Sequence, residues 1–121
     1  MIEKNKKHDD KMEKTKIVGT ECNDRDCHIH GSLKARGRNF EGVVIKKFPR
    51  RVVIEFERMV YNRKYERYSK SKTKVHARLP NCMDKLINVG DLIKVQECRP
   101  LSKIIHFVTI EKIKDASEVN K

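Results

Sequence analysis

The chain of 121 residues predicts an all-β fold: a small five-stranded barrel with basic loops and flexible extensions at both ends. Three observations carry that prediction. Val52, Ile54 and Phe56 alternate with Val53, Glu55 and Glu57, which is the period of a strand with one buried face. Turn-forming residues separate this stretch from others like it. No long stretch shows a convincing helical pattern. Closure into a barrel suits such a chain because it removes exposed strand edges.

Residues 1–16 are lysine-rich, of mixed charge and nearly without apolar side chains. Nothing there offsets the entropy of ordering, so a flexible charged tail is expected. Residues 17–114 form the expected domain. Its first part holds Cys22-Asn23-Asp24-Arg25-Asp26-Cys27-His28-Ile29-His30-Gly31, where Asn, Asp and Gly predict a loop.

Phe40-Glu41-Gly42-Val43-Val44-Ile45 reads as a strand whose glycine marks a bulge or a barrel bend. Lys46 to Arg50 reads as a basic turn, and the alternating run at 52–57 completes a β-hairpin.

Residues 61–78 are the most basic segment. Arg63, Lys64, Arg67, Lys70, Lys72, Lys74 and Arg78 face one acid, Glu66. All three tyrosines, Tyr61, Tyr65 and Tyr68, lie here. Their spacing of four and then three fits one face of a short helix packed on the core. It also fits an extended arm whose tyrosines meet RNA. Ser69, Ser71 and Thr73 alternate with Lys70, Lys72 and Lys74, which favours the extended form.

Leu79-Pro80-Asn81-Cys82 reads as a turn or linker. Gly90-Asp91 then opens a strand in which Ile93 and Val95 face one way and Lys94 and Gln96 the other. Arg99-Pro100 closes it into a polar loop. The last strand is expected over 104–113, with His106 and Phe107 inside it, and 115–121 as a polar tail. Five strands with long basic loops point to the OB-fold, which binds nucleic acid on a strand face and on its loops.

Charge narrows the partners. Twenty-nine Lys and Arg against 17 Asp and Glu give +12 and a pI near 9.7. A positive field of that size suits a polyanion. An anionic membrane surface is the weaker candidate, because it needs a basic amphipathic helix with a bulky apolar face. The longest apolar runs are three residues, far short of the roughly 20 of a membrane helix. The first 16 residues lack the apolar region of a signal peptide. Four cysteines, Cys22, Cys27, Cys82 and Cys98, without such a peptide point to the reducing cytosol.

The run Gly90-Asp91-Leu92-Ile93-Lys94-Val95-Gln96-Glu97-Cys98-Arg99-Pro100-Leu101-Ser102 resembles the signature of the small-subunit ribosomal protein seventeen family, in its archaeal form. Further segments resemble the family in the same order: Arg36 to Val44, Tyr65-Glu66-Arg67-Tyr68, Lys74-Val75-His76-Ala77 and Pro80-Asn81-Cys82. The loop Cys22-x4-Cys27-x2-His30-Gly31 resembles the N-terminal extension of archaeal members. The resemblance spans roughly residues 20–113. Departures from the family pattern are Phe48-Pro49 in the hairpin turn, Asn81 where a second proline is common, and His28 in place of a proline.

The resemblance implies an OB-fold that binds small-subunit ribosomal RNA directly and helps assemble it, beside neighbouring ribosomal proteins in the cytoplasm. It implies no catalysis, membrane or small-molecule substrate. The residues agree: there is no phosphate-cradling glycine loop, paired-carboxylate site or nucleophile motif around the cysteines. A-form RNA closes its major groove to side chains, so contacts go to phosphates, 2′-hydroxyls and loops. Three basic patches are the expected contacts. The turn carries Lys46, Lys47, Arg50 and Arg51. The arm carries Arg63, Lys64, Tyr65, Arg67, Tyr68, Lys70, Lys72, Lys74, His76 and Arg78. The exit loop carries Arg99, Ser102 and Lys103, with Arg36 and Arg38 near the barrel mouth.

The competing function is a free, cold-shock-like RNA-binding module. Such proteins concentrate aromatics on strands, whereas this chain is 6% aromatic and has no Trp. No cofactor is expected apart from a structural zinc. Cys22, Cys27, His30 and Cys82 are its candidate ligands, from a spacing within reach of zinc sites. The alternative is a reduced loop whose cysteines pack as small apolar groups. A zinc-dependent protein-interaction domain would rest on that loop alone.

Overall fold

The first hairpin is set by the apolar alternation at its centre. The computed structural model describes residues 22–120; the expected tail at 1–16 lies outside them. β1 (Ala35–Phe48) and β2 (Arg51–Asn62) pair antiparallel from Val43↔Glu55 to Phe48↔Arg51. The turn is therefore only Pro49-Arg50, and Lys46 and Lys47 belong to the strand rather than to the turn. Arg50 has φ 62. That places the second central residue of the turn, after Pro49, in the left-handed region, which costs an ordinary residue about 1–2 kcal/mol. The Leu79 amide donates to the Arg50 carbonyl at 3.0 Å and pins the turn.

β2 runs on into β3 (Arg67–Arg78), β4 covers Leu92–Cys98 and β5 covers Phe107–Lys114. The order around the closed barrel is β1-β2-β3-β5-β4. Neighbours are antiparallel except β3 and β5, which run parallel at Ala77↔Phe107 and Arg78↔Val108. This is the order of an OB-fold.

Inward residues of all five strands meet in the barrel. Val44, Val52, Ile54, Ala77, Ile93 and Val95 pack with Leu79, Met83 and Ile87 from the β3–β4 connection. Each fully buried Val, Leu or Ile of this set contributes roughly 1.5–3 kcal/mol. Phe40 stacks on Phe56, with ring centres 5.3 Å apart, and meets Phe107 edge-on. Leu33, Cys98 and Val108 form a second cluster under the N-terminal loop.

Gly42 serves close approach rather than a bulge. A Cβ there would lie 2.9 Å from the Glu55 carbonyl oxygen. The register shift of β1 against β2 falls between Val44 and Lys46 instead.

The turn or linker expected at 79–82 takes a definite form, and two further segments differ from the sequence expectation. Asn81–Met83 form a single 3-10 turn. The last strand begins at Phe107, not at Ile104. The amides of Leu101 and Ser102 both donate to the Ile105 carbonyl, which folds 101–105 into a loop and leaves His106 outside the strand. The C-terminal tail starts with a short helix, α1 (Ala116–Val119), tied down where the Ala116 amide donates to the Asp91 carboxylate at 2.9 Å. Among the described residues no helix is long and apolar enough to cross a membrane.

Candidate nucleic-acid interface and metal centre

The basic arm is a two-stranded ribbon. The β2–β3 ladder extends from Arg51↔Arg78 to Asn62↔Arg67. β1 accompanies β2 only as far as Glu55, and β5 accompanies β3 only at Ala77 and Arg78. The rungs beyond Glu55↔Lys74 therefore stand outside the barrel wall, and all of 57–70 is exposed.

Strand alternation sorts the ribbon into two faces. One face carries Glu55, Glu57, Met59 and Tyr61 opposite Lys74, Lys72, Lys70 and Tyr68. The other continues from Ile54 and Val75 through Phe56, Arg58 and Val60. Tyr61 and Tyr68 face each other across one rung, with ring centres 5.1 Å apart. The tyrosines thus belong to an extended hairpin, not to a helix. Lys72 lies 3.2 Å from Glu55. Lys70 and Lys72 reach Glu57 only at 4.0 Å. Exposed pairs of this kind contribute about 0–1 kcal/mol, so these acids hold the lysines only weakly.

The remaining basic residues lie on the end of β1 and its turn, on the β4–β5 loop and on the start of β1. Arg50 is exposed in the turn, and the Arg51 guanidinium lies 4.6 Å from the centre of the Phe48 ring. Lys46 is exposed. Lys47 is half-buried, 3.4 Å from an Asp84 carboxylate oxygen, and also donates to the Asp84 carbonyl. In the exit loop Arg99 is exposed and Nη2 lies 3.2 Å from Asp26 Oδ1. The Ser102 hydroxyl accepts from the Ile105 amide at 3.2 Å, which shapes the loop around Lys103. Arg36 and Arg38 are exposed at the start of β1, where the Arg38 amide donates to Glu97. His76 is half-buried, with Nδ1 lacking a partner.

Arg78 is turned inward. Its Nη2 donates to both carboxylate oxygens of Asp24, at 2.9 and 3.1 Å, and its side chain is 15% exposed. It braces the N-terminal loop against β3, and is the one arm cation that the structure removes from the exposed set. Burial pushes the Asp24 carboxyl up, but the Asp26 amide and Arg78 outweigh it and hold the group below its ordinary value of 3.8.

That brace positions a cluster of soft ligands. Cys22, Cys27, His30 and Cys82 bring their ligand atoms within 4.8 Å of one another. Cys27 Sγ lies 3.7 Å from Cys82 Sγ and 3.7 Å from His30 Nδ1. On a tetrahedral zinc, two thiolates are about 3.8 Å apart, and a thiolate and an imidazole nitrogen about 3.6 Å. The loop closes through Gly31, whose amide donates to the Cys27 carbonyl. A Cβ at Gly31 would collide with the carbonyl oxygens of Asp24 and Arg25. Cys82 arrives from the 3-10 turn. Burial raises the Cys27 thiol, yet the amides of His30 and Ile29, the His30 ring and the Cys82 thiol bring it down to about 7. Cys82 is pushed up to about 12 by burial and by Cys27. Cys98 is apart from this cluster, buried against Leu33 and Val108 as a core residue.

Residues 42–111 match the family model described as Ribosomal protein S17. This chain belongs to that family. It is 43% identical over 105 residues to the small ribosomal subunit protein uS17 of Methanocaldococcus jannaschii, covering 86% of this chain and 88% of the relative. The uS17 protein of Nanoarchaeum equitans is 47% identical over 95 residues, 78% and 83% of the two chains. That of Saccharolobus solfataricus is 42% identical over 93 residues, 76% and 80%.

In this S17-family chain most of the expected contact residues fall on the β1–β2 turn, the β2–β3 strands and the β4–β5 loop. Those are the parts with which OB-folds bind oligonucleotides. Several residues escaped sequence reasoning. Arg58 adds a cation to the ribbon opposite Ser71; the period-two pattern continued past Phe56 would have included it. Glu55 and Glu57 oppose the lysines across the ladder, although in sequence they lie well before them. Asp24 and Asp26 sit among the cysteines, and two acids within three residues of a chain at +12 were the available signal.

Proposed function

We propose that the chain is a structural, non-catalytic constituent of the small ribosomal subunit, in the cytoplasm, that binds small-subunit ribosomal RNA directly and sits beside neighbouring ribosomal proteins. Membership of the S17 family carries this reading. The exposed basic ribbon supports it. The proposed binding domain is 17–114. The RNA contacts are Arg36, Arg38, Lys46, Arg50, Arg51, the ribbon from Arg63 to Lys74 with Arg58, and Arg99, Ser102 and Lys103. Lys47 and Arg78 act from within, holding the 3-10 turn and the N-terminal loop. His76 lies at the ribbon's base.

The ribbon suits a helical RNA. Its lysines stand on every second residue of β3, and arginines flank its tip, so phosphates are met along a line rather than at one point. Each phosphate neutralised adds about 0.7–0.9 to the slope of log affinity against log salt. The experiment is cosedimentation of the full chain with small subunits, followed by footprinting on their RNA. Travel with the subunit and protection of a discrete RNA region are expected. A chain that stays at the top of the gradient would count for a free module, and an affinity indifferent to salt would remove the electrostatic account of binding.

A second reading concerns the cysteine loop: Cys22, Cys27, His30 and Cys82 hold a structural zinc. The 3.7 Å separations of Cys27 from Cys82 and His30 favour it. Bound there, the ion would join the N-terminal loop to the segment after β3, a closed site of the structural kind.

A further inference from the structure

Resting on the RNA-binding reading, we infer that the ribbon tip takes one unpaired base of the ribosomal RNA into the recess beside Tyr65 and Tyr68. Asn62, Tyr65, Arg67, Tyr68 and Ser69 line a recess of about 490 Å³ there. Small-ligand sites span roughly 300–1,000 Å³.

The lining is matched to a base rather than to a helix. Tyr65 and Tyr68 are 64% and 69% exposed, an unusual outlay of aromatic surface in a chain with so few aromatics. Tyr68 is steadied from behind by Tyr61. Tyr65 lies at the turn, with the Lys64 ammonium 5.6 Å from its ring centre. Glu66, at φ 50, brings the chain sharply round beside them.

Polar groups complete the site. The Asn62 side-chain Oδ1 accepts from the Lys64 amide at 3.2 Å, which leaves the side-chain NH₂ group for a base edge. Arg67 makes no ion pair among the described residues and stands ready for the attached phosphate. Among the described residues β3 has no strand beside it on its outer side until Ala77, so its backbone N–H and C=O groups face outward along that edge. Aromatic faces beside edge donors and a cation are how proteins hold bases splayed out of loops and bulges.

The test uses the full chain and full-length small-subunit ribosomal RNA. Base-specific chemical probing is expected to show one unpaired nucleotide protected on binding. Ultraviolet irradiation is expected to crosslink that nucleotide to the peptide carrying Tyr65 and Tyr68. Tyr68→Ala should weaken binding about 5- to 150-fold, the span of single-base stacking, with the salt slope unchanged. Tyr68→Phe should bind as the parent does. Arg67→Ala should lower the slope by about 0.7–0.9. Tyr65→Ala, which disturbs no other ring, repeats the test without risk to the Tyr61–Tyr68 contact.

Unchanged affinity in both alanine variants would overturn the inference while leaving RNA binding intact. So would crosslinks only to paired nucleotides, or, in assembled subunits, to another protein. A full chain that protects no RNA at all would remove both readings.

Discussion

Arg78 and Asp24, 54 residues apart in sequence, form a two-pronged ion pair with both side chains withdrawn from solvent. Removing one partner of such a pair strands a buried charge, which costs roughly 3–5 kcal/mol. Asp24→Ala is therefore expected to lower the unfolding free energy measured in urea by that amount. Arg78→Ala should do nearly the same and leave the salt slope of RNA binding unchanged. Asp24 titrates below 3.8 in the folded chain. Its contribution is complete above that ordinary value and is lost as pH falls through the folded value. Urea unfolding between pH 6 and the acid limit checks it, since Asp24→Ala should flatten the acid loss. An Arg78→Ala protein of normal stability and weakened RNA binding would return Arg78 to the interface.

Arg99 gives the opposite expectation although it reaches the same loop. Its partner Asp26 lies 3.2 Å away, but the Arg99 side chain is 56% exposed. Exposed pairs contribute about 0–1 kcal/mol. Arg99→Ala should thus unfold within about 1 kcal/mol of the parent and bind RNA with a salt slope lower by about 0.7–0.9. Chemical denaturation and a salt titration of RNA affinity, run side by side, separate the roles. Loss of stability with normal RNA binding would make Arg99 a brace.

How far the sequence revealed these arrangements depends on the range of the interaction. The alternation at Val52, Ile54 and Phe56 and the Ser/Lys alternation at 69–74 are local, and both appear as strands. Tyr61 and Tyr68 show where spacing alone is ambiguous. Seven residues are two helical turns, yet a hairpin folded about Lys64 and Tyr65 sets the same two rings on one rung. Pairings across the whole barrel left no local trace. The two-rung parallel contact of β3 with β5 and the reach of Asp24 to Arg78 follow from closure. The candidate metal ligands stood between these cases. Cys22, Cys27 and His30 are a local spacing, while Cys82 joins them only because the 3-10 turn passes that end of the barrel.

Asp91 predicts a stability plateau with two edges. It is buried and accepts from the Asn88 amide and from Lys112 Nζ, each at 2.8 Å, and from the Ala116 amide at 2.9 Å. Burial raises its carboxyl, but Lys112 and the two amides hold it below 3.8. Burial lowers Lys112, but Asp115 and Asp91 raise it above 10.5. The Asp91 contribution is full above 3.8 and disappears as pH falls through its folded value. That of Lys112 is full below 10.5 and disappears as pH rises through its folded value. Thermal melts should therefore decline at both extremes and be level between them. Asp91→Ala should cost roughly 3–5 kcal/mol at pH 7, and Lys112→Ala should flatten the alkaline edge. A parent melting curve as stable at pH 11 as at pH 7 would contradict the Lys112 half.

The four cysteines are expected to divide three against one. Cys22, Cys27 and Cys82 converge with His30, whereas Cys98 packs against Leu33 and Val108. Purified full chain should carry about one zinc, falling below about a tenth of an equivalent in Cys82→Ser, whose loss opens the fourth position. Cys98→Ser should keep the metal, since its sulfur only donates to the Arg99 carbonyl. Thiolates and neutral imidazole are the binding forms, so zinc should leave as pH falls. Chelation should lower the melting temperature of the parent and of Cys98→Ser but hardly move that of Cys82→Ser. Because the loop also carries Asp24, chelation of the parent should also shrink the difference in stability between it and Asp24→Ala. Equal zinc content in the two serine variants, or a parent with less than about a tenth of an equivalent, would leave the cluster as four packed side chains.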